Sequence, residues 1–273
     1  MTVAGWWHGH EVVAKRLTTN RPYWRKRFAH EVSAYRVFAS CPPTWRVPEP
    51  YHAGETVLVV ERLPGATPHA ERYPPLLPAA TVAGMIEALT LFAAWRPPPG
   101  PLGLPATDWA ARARRYVASG DLPAEDRDGL LAAIAAAPAE FGHGDPLPSN
   151  ALCAAGRPVT FIDYEFAGLY PAGADLALLG VWLGRHDPAA EQRCAEAATA
   201  AGHRPAYRAM RVLWLAREQR LHPDVFTGAG ADDVRGWLSA QVTVAMSRGR
   251  GRQKGRGSGG GGATGGEGSG QVR

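Results

Sequence analysis

The segment FGHGDPLPSNALCAAGRPVTFIDYEFAG, residues 141–168, holds the polar residues that decide the fold. Asp145 lies in a loop rich in proline, a residue that fixes φ and stiffens the chain. Two short apolar runs follow, and the Ala-Gly-Arg-Pro sequence between them predicts a hairpin of two strands. Asn150 precedes the first strand and Asp163 ends the second, so the hairpin would bring both side chains close together beside Asp145.

Asp145, Asn150 and Asp163 offer the oxygen ligands that a hard cation such as Mg²⁺ prefers. Their pattern resembles the catalytic core of the aminoglycoside phosphotransferase and choline kinase family, relatives of the protein kinases. In that family H-G-D-x-x-x-x-N precedes a hairpin that ends in I-D-[WFY]. The matching residues here are His143-Gly144-Asp145, Asn150 and Ile162-Asp163-Tyr164. Chance alone gives H-G-D-x-x-x-x-N in roughly one chain of this length per thousand, so the match indicates the family.

The resemblance implies a role for each residue. Asp145 is expected to accept the proton of a substrate hydroxyl as it attacks the γ-phosphorus of ATP or GTP, and Asn150 and Asp163 to hold Mg²⁺. His143 and Asp175, the latter in a match to the D-L-A helix start of the family, are expected to support the loop. Taken singly, these residues also suit an Asx-turn, a turn cap, a strand end or a helix N-cap. Their joint spacing favours the functional interpretation.

A helix predicted over residues 24–39 contains a carboxylate in an unusual place. The helical spacing puts one apolar stripe along it, formed by Trp24, Phe28, Val32 and Tyr35. Glu31 falls inside this stripe, where an unpaired buried charge would cost several kcal/mol, on the order of the figures known for buried ion pairs. Glu31 therefore either lies at the edge of the stripe and reaches water, or it pairs with a cation.

Two predicted strands flank this helix, at 11–17 and 56–61. Lys15, in Val-Ala-Lys, resembles the family lysine that contacts the α- and β-phosphates, and Glu31 is then its expected partner. The alternative for Lys15 is a solvated charge at a sheet edge. The second strand resembles the strand and hinge between lobes, where main-chain groups from Glu61 to Leu63 would meet the adenine.

The rest of the chain is predicted to be mostly helical. The predicted fold is α+β and protein-kinase-like, with a truncated, small β-rich N-lobe at 1–63, a larger helical C-lobe at 64–246 and a disordered Gly/Arg-rich tail at 247–273. One apolar helix face is formed by Val82, Met85, Ile86, Leu89 and Phe92. Further helices are predicted at 108–118, with Asp108 as N-cap, and at 124–136, 189–201, 205–219 and 232–245.

The sequence departs from the family pattern at its beginning. Fourteen residues precede Lys15, enough for one strand and a turn but not for the Gly-rich hairpin that covers the phosphates in kinase-like folds. Three explanations stay open: a start upstream of Met1, weaker coverage of the phosphates, or lost phosphate transfer. The loop also lacks a His or Lys between Asp145 and Asn150, so proton transfer would rest on Asp145 alone.

Composition sets limits on partners and location. The chain has 273 residues, 45% of them hydrophobic, and the net charge of +5 equals that of the tail, which holds six basic residues and one acidic residue, 6 − 1 = +5. No apolar run approaches the ~18 residues of a membrane span, and no secretory leader is evident, so we expect a cytoplasmic protein without a membrane partner. The cysteines, Cys41, Cys153 and Cys194, have no C-x-x-C spacing and are expected to be reduced.

Two other function classes compete with phosphotransfer to a small molecule. A pseudokinase would bind nucleotide or ligand in a regulatory role without turnover. A nucleic-acid partner would bind only weakly, through the basic tail. The acceptor is open among aminoglycosides, macrolides, amino alcohols and sugars. A polycationic acceptor would need an acidic pocket, for which the candidates are Asp121, Glu125, Asp126 and Asp128.

Overall fold

The computed structural model describes residues 1–96, 104, 106–225 and 231–253, and it has an α+β fold of two lobes. The small lobe is a four-stranded antiparallel sheet in the order β1-β2-β4-β3, with one helix. Its elements are β1 (Thr2–Trp7), β2 (His10–Arg16), α1 (Pro22–Ser40), β3 (Pro50–Ala53) and β4 (Val57–Glu61). The strands predicted at 11–17 and 56–61 and the helix at 24–39 are confirmed, whereas β3 was not predicted. One strand and a turn precede β2, as expected.

The buried face of α1 begins one turn later than the sequence indicates. Phe28, Val32 and Tyr35 are buried, but Trp24 is 45% exposed. Trp24 lies in the first turn of the helix, where its ring meets that of Tyr23, also exposed, edge-on at a centroid distance of 5.1 Å. Because this turn projects beyond the core, the prediction that Trp24 belongs to the buried stripe is wrong.

The large lobe is mainly helical in the residues that the structure describes, and the predicted helices are confirmed, although the last two end six and eight residues later than predicted. They are α2 (Ala79–Ala94), α3 (Trp109–Ala118), α4 (Arg127–Ala135), α5 (Ala174–Leu183), α6 (Pro188–Ala200), α7 (Arg204–Val225) and α8 (Ala231–Gln253). The side chain of Asp108 caps α3 by accepting a hydrogen bond from the backbone N–H of Ala111. Every residue of α5 is buried, so this helix has no amphipathic stripe, and only its match to the family pattern predicted it.

Four short strands hold the segment quoted at the outset. They are β5 (Ala139–Gly142), β6 (Ala151–Leu152), β7 (Thr160–Phe161) and β8 (Gly168–Pro171). The predicted hairpin is the antiparallel pair β6 and β7. The pair β5 and β8 was not predicted, and it is also antiparallel, with Gly142 opposite Gly168. Since β5 ends directly before His143, this pair closes the base of the loop and hairpin and fixes both against the helices.

The C-terminal boundary differs from the prediction. Helix α8 continues past Met246 to Gln253, so the expectation of a disordered tail is wrong over residues 247–253. The remainder of the tail, and with it the interpretation as a weak nucleic-acid binder, lies outside the described residues, as does the proline-rich stretch at 97–101. The boundary at residue 63 stays a prediction. All three cysteines are free, and none of the helices in the described ranges is long and apolar enough to cross a membrane.

Candidate active site

Lys15 connects the two lobes. Its Nζ donates hydrogen bonds to Oε1 of Glu31 at 2.7 Å and to Oδ1 of Asp163 at 2.8 Å. Lys15 comes from the central strand β2, Glu31 from α1 and Asp163 from the end of the β6–β7 hairpin. The sheet, the helix and the hairpin therefore meet at one ammonium group, and the sequence prediction that Lys15 faces Glu31 agrees with the geometry.

Burial explains why Glu31 needs this partner. The residue is only 2% exposed, and burial raises its pKa to about 7, while the charge of Lys15 lowers it. Burial also acts to lower the pKa of Lys15, but the charges of Glu31 and Asp163 outweigh it, so that pKa is raised. Lys15 therefore stays protonated, and Glu31 does not reach water at the edge of the stripe.

Asp163 has a backbone conformation that few residues other than glycine adopt. Its φ is +70°, in the left-handed region, which costs on the order of 1 kcal/mol or more. The strand β7 ends two residues earlier, and the turn at Asp163 lets its carboxylate reach Lys15. Strain of this size is retained where the surrounding contacts hold the residue in place, as the bond to Lys15 does here.

Asp175 holds the start of the loop. Its carboxylate accepts hydrogen bonds from the backbone N–H groups of His143, at 2.5 Å, and Gly144, at 3.0 Å. Burial raises the pKa of Asp175 to about 7, and these two bonds oppose the increase. Gly144 has φ +77°, and a Cβ there would lie 2.1 Å from the hydroxyl oxygen of Tyr170. Asp175 thus acts as a brace for the loop and not as the N-cap of α5, which is Gly173.

His143 is a second brace. It is fully buried, and its Nε2 lies 2.9 Å from the carbonyl oxygen of Ile162, while Nδ1 accepts a bond of 3.3 Å from the backbone N–H of Asp145. Burial lowers the pKa of His143 to about 4, so the ring is neutral at pH 7. An accepting Nδ1 assigns the proton to Nε2, which then donates to Ile162. His143 thereby ties the loop to the hairpin.

Asp145 and Asn150 are in direct contact. The amide nitrogen of Asn150 donates to the carbonyl oxygen of Asp145 at 2.9 Å and to Oδ2 of its carboxylate at 3.3 Å. The other carboxylate oxygen, Oδ1, is buried and has no hydrogen-bond partner in the part of the chain that the structure describes. Burial raises the pKa of Asp145, while the charges of Arg72 and Arg217 lower it. Asp145 thus has a buried oxygen that can accept a hydrogen bond, and the charges of Arg72 and Arg217 act on its carboxylate.

The predicted hinge residues lie at and just after the end of β4. The carboxylate of Glu61 pairs with Arg46 and accepts the backbone N–H of Glu49 at 3.3 Å, so its side chain serves the small lobe. Leu63 is buried. Just after the hinge, Ala66 exchanges backbone hydrogen bonds with Cys153, at 3.1 and 2.9 Å, which joins the hinge segment to the hairpin.

Sequence reasoning missed a buried polar cluster on the other side of the loop. Glu218 of α7 is 1% exposed and accepts bonds from Nε and a terminal nitrogen of Arg72, at 2.7 and 2.9 Å. It also accepts bonds from the Tyr73 hydroxyl, at 2.9 Å, and the Trp182 indole, at 3.3 Å. One signal was available: Glu218 follows the apolar run 212–216 in a predicted helix, where a charged residue needs a partner.

A strand lysine paired with a helix glutamate and facing the aspartate of a hairpin is the arrangement of kinase-like phosphotransferases. The chain belongs to the phosphotransferase enzyme family, whose model matches residues 5–213. Comparison with curated protein sequences gave no significant match.

Solved structures are similar in fold over most of both chains. Aminoglycoside phosphotransferase APH(4)-Ia has a TM-score of 0.59 at 17% identity, covering 91% of this chain and 90% of that chain. Macrolide 2'-phosphotransferase MphH from Brachybacterium faecium has a TM-score of 0.56 at 15% identity, covering 87% of each. A thermostable mutant of APH(4)-Ia in ternary complex with AMP-PNP and hygromycin B has a TM-score of 0.59 at 16% identity, covering 92% and 94%. The two-lobed kinase-like fold expected from the sequence is confirmed.

Proposed function

We propose that this chain transfers the γ-phosphoryl group of ATP or GTP to a hydroxyl group of a small molecule, with Asp145 as the catalytic base. The observation that carries the proposal is the state of Asp145, whose Oδ1 is buried and without a hydrogen-bond partner among the described residues while Asn150 holds its Oδ2. A buried acceptor in a stiff loop suits a proton that arrives with the substrate. The nucleotide complexes of the structural neighbours support a nucleotide co-substrate.

Asp145 would act on the acceptor hydroxyl. The hydroxyl donates its proton to Oδ1 as its oxygen forms a bond to the γ-phosphorus, and the bond from that phosphorus to the oxygen of the nucleoside diphosphate breaks. Asp145 then returns the proton to solvent. The braces Asp175 and His143 fix the loop, because a misplacement of 1 Å in such a site lowers the rate about 10²-fold.

Lys15 would bind the α- and β-phosphates, with Glu31 holding its ammonium group in place. The bond from Lys15 to Asp163 keeps the hairpin close to the sheet before the nucleotide arrives. The main chain from Glu61 to Leu63 would accept the adenine or guanine edge. The side chain of Glu61 is not needed for this task, in agreement with its contacts inside the small lobe.

Asn150 and Asp163 would hold Mg²⁺, and the donor set fits this ion. In the described ranges no group of three or more His, Cys, Asp and Glu side chains forms a metal site by itself. Mg²⁺ commonly takes one or two protein ligands and completes its shell with phosphate oxygens and water. The amide nitrogen of Asn150 faces Asp145, which leaves the amide oxygen for the cation. When bound, Mg²⁺ would neutralise charge on the transferred phosphoryl group.

The test is nucleotide turnover with Mg²⁺, measured as transfer of labelled γ-phosphate to a panel of hydroxylated acceptors and to water. We expect acceptor-dependent transfer that falls about 10³-fold in Asp145→Asn. Asp128→Asn is the matched control, because Asp128 is an exposed carboxylate that pairs with the neighbouring Arg127. Nucleotide binding without transfer to any acceptor would favour the pseudokinase, and full activity of Asp145→Asn would remove Asp145 from the mechanism.

A further inference from the structure

Two arginines from distant parts of the chain are close enough to Asp145 for their charges to lower its pKa. Arg72 comes from the segment after the hinge, and Arg217 comes from α7. The guanidinium of Arg217 lies 5.8 Å from the centre of the Phe166 ring and 5.0 Å from that of Trp214. Phe166 in turn touches the loop, because its carbonyl oxygen would lie 2.5 Å from a Cβ on Gly144. Arg217 is therefore packed against the residues that support Asp145.

Arg72 is held by its buried partner through two of its five N–H donors. Two of its nitrogens bind the two oxygens of Glu218, and its guanidinium lies 4.9 Å from the centre of the Trp182 ring. Glu218 receives two further bonds, from Tyr73 and Trp182. With four donors, the carboxylate of Glu218 is saturated, so it has little capacity left for another cation.

Arg217 is left without an equivalent partner. A terminal nitrogen of its guanidinium is 4.0 Å from Oε1 of Glu218, beyond hydrogen-bond range, and this nitrogen is buried with no hydrogen-bond acceptor among the described residues. The side chain as a whole is 14% exposed. A buried donor without an acceptor destabilises the folded protein, and more so when it is charged. Such a group is retained where a ligand supplies the missing acceptor.

The acids that the sequence suggested for a cationic acceptor lie elsewhere. Asp121 is paired with Arg220, and Asp128 is 83% exposed. Glu125, Asp126 and Asp128 line a groove beside α4, α6 and α7 that contains none of the predicted site residues. The prediction of an acidic acceptor pocket from these residues is therefore not supported near Asp145. The groups there that lack a hydrogen-bond partner among the described residues are one carboxylate oxygen and one guanidinium nitrogen.

We propose that the acceptor is a small hydroxylated anion, and that Arg217 binds its carboxylate or phosphate group while its hydroxyl donates to Oδ1 of Asp145. This inference rests on the proposed function. One molecule of this kind satisfies both buried atoms at once, because it brings an anionic acceptor to the donor nitrogen and a hydroxyl donor to the accepting oxygen. A polyamine would instead place its cations beside Arg217 and Arg72, where like charges repel.

The test compares acceptors that share a sugar skeleton and differ in charge: glucose, glucosamine, gluconate and glucose 6-phosphate. We expect kcat/KM for gluconate or glucose 6-phosphate to exceed that for glucose at least 10-fold, and glucosamine to be the poorest. Which anion is preferred distinguishes a carboxylate site from a phosphate site. In Arg217→Gln the preference for the anion over glucose should fall about 10- to 100-fold, the range of a charged hydrogen bond.

Arg220→Gln is the matched control, because Arg220 lies on the same helix, is exposed and binds Asp121. It should leave the preference unchanged. Circular dichroism checks that Arg217→Gln is folded. If it is not, the second measurement is thermal unfolding of the wild type, which gluconate or glucose 6-phosphate should protect and glucosamine should not. Higher activity with glucosamine, or an equal loss for all four acceptors in Arg217→Gln, would overturn the inference.

Failure of the inference is distinguishable from failure of the proposed function. If glucose or glucosamine is phosphorylated at least as efficiently as the two anions and Asp145→Asn abolishes that transfer, the base assignment holds and only the anionic acceptor is wrong. If no acceptor in the panel is phosphorylated and hydrolysis of the nucleotide is the same in the wild type and Asp145→Asn, the proposed function itself fails.

Discussion

On the side of β2 and α1, Lys15 is paired with both Glu31 and Asp163, whereas one buried polar atom on the loop and one on α7 have no hydrogen-bond partner within the described residues. Lys15 binds both Glu31 and Asp163 at less than 3 Å. In the part of the chain that the structure describes, Oδ1 of Asp145 on the loop and a terminal nitrogen of Arg217 on α7 lack hydrogen bonds. The two sides differ although both are largely removed from water.

This difference indicates which contacts serve the fold and which serve binding. A satisfied buried ion pair holds elements together, and removing one member leaves the other as a buried charge without compensation. An unsatisfied buried group destabilises the free protein and becomes favourable when a ligand completes it. Substitutions on the first side should therefore lower stability, and those on the second should lower activity without that loss.

Lys15→Met should give the largest effect on stability. Glu31 would stay buried without its cation, so we expect the free energy of unfolding to fall by about 3–5 kcal/mol. The pKa of Glu31, already about 7 through burial, would rise further without Lys15. A carboxyl group with a raised folded pKa stabilises the protein at low pH and loses that contribution as the pH increases.

The deficit of Lys15→Met should thus be larger at pH 8 than at pH 5, measured by urea unfolding at both values. The double variant Lys15→Met with Glu31→Gln is the control, since it removes the buried charge and should recover stability and lose the pH dependence of the deficit. A deficit that is equal at both pH values would mean that Glu31 is not the cause.

The satisfied side was largely predictable from the sequence, because its residues lie on regular elements. A carboxylate inside an apolar helical stripe needs either water at the edge of the stripe or a cation, and the resemblance of Val-Ala-Lys to the family lysine identified Lys15 as that cation. The loop and hairpin were predictable from the spacing of Asp145, Asn150 and Asp163. The exposed position of Trp24 was not, because periodicity alone does not show where a helix leaves the core.

The unsatisfied side was not predictable for a physical reason. Arg72 and Glu218 are separated by 146 positions, and Arg72 lies in a proline-rich segment without helical or strand periodicity. No local pattern relates two such residues, and their pairing depends on how α7 packs behind the loop. The sheet of β5 and β8 was missed for a similar reason. Each of its strands is only four residues long, and the two strands flank the motif on which the sequence interpretation was based.

His143 lies between the two sides, and its contribution to the stability of the folded protein depends on pH. Its pKa falls from 6.5 in the unfolded chain to about 4 in the folded protein. Between these values the unfolded state binds more protons, so stability increases with pH over this window and is lost as the pH falls towards 4. The shift corresponds to about 3 kcal/mol at pH 4.

His143→Gln removes this titration. At pH 7 the wild type should be the more stable protein, because the variant loses the bond from Asp145 N–H to Nδ1. At pH 4 the difference in the free energy of unfolding between the two proteins should shrink by about 3 kcal/mol. Chemical unfolding at several pH values measures it, and a difference that does not change with pH would show that His143 is not buried as a neutral ring.

Asp145→Asn should give the smallest change in stability, and in the opposite direction. Oδ1 of Asp145 is buried without a hydrogen bond, and burial raises its pKa, so the ionised group destabilises the folded state at pH 7 and less so at lower pH. We expect Asp145→Asn to gain about 1 kcal/mol at pH 7, measured by urea unfolding of the variant beside the wild type. A loss of stability in Asp145→Asn would mean that Arg72 and Arg217 already satisfy the carboxylate. In that case the guanidinium of Arg217 would not be free for an anionic acceptor, and the contrast between the two sides would disappear.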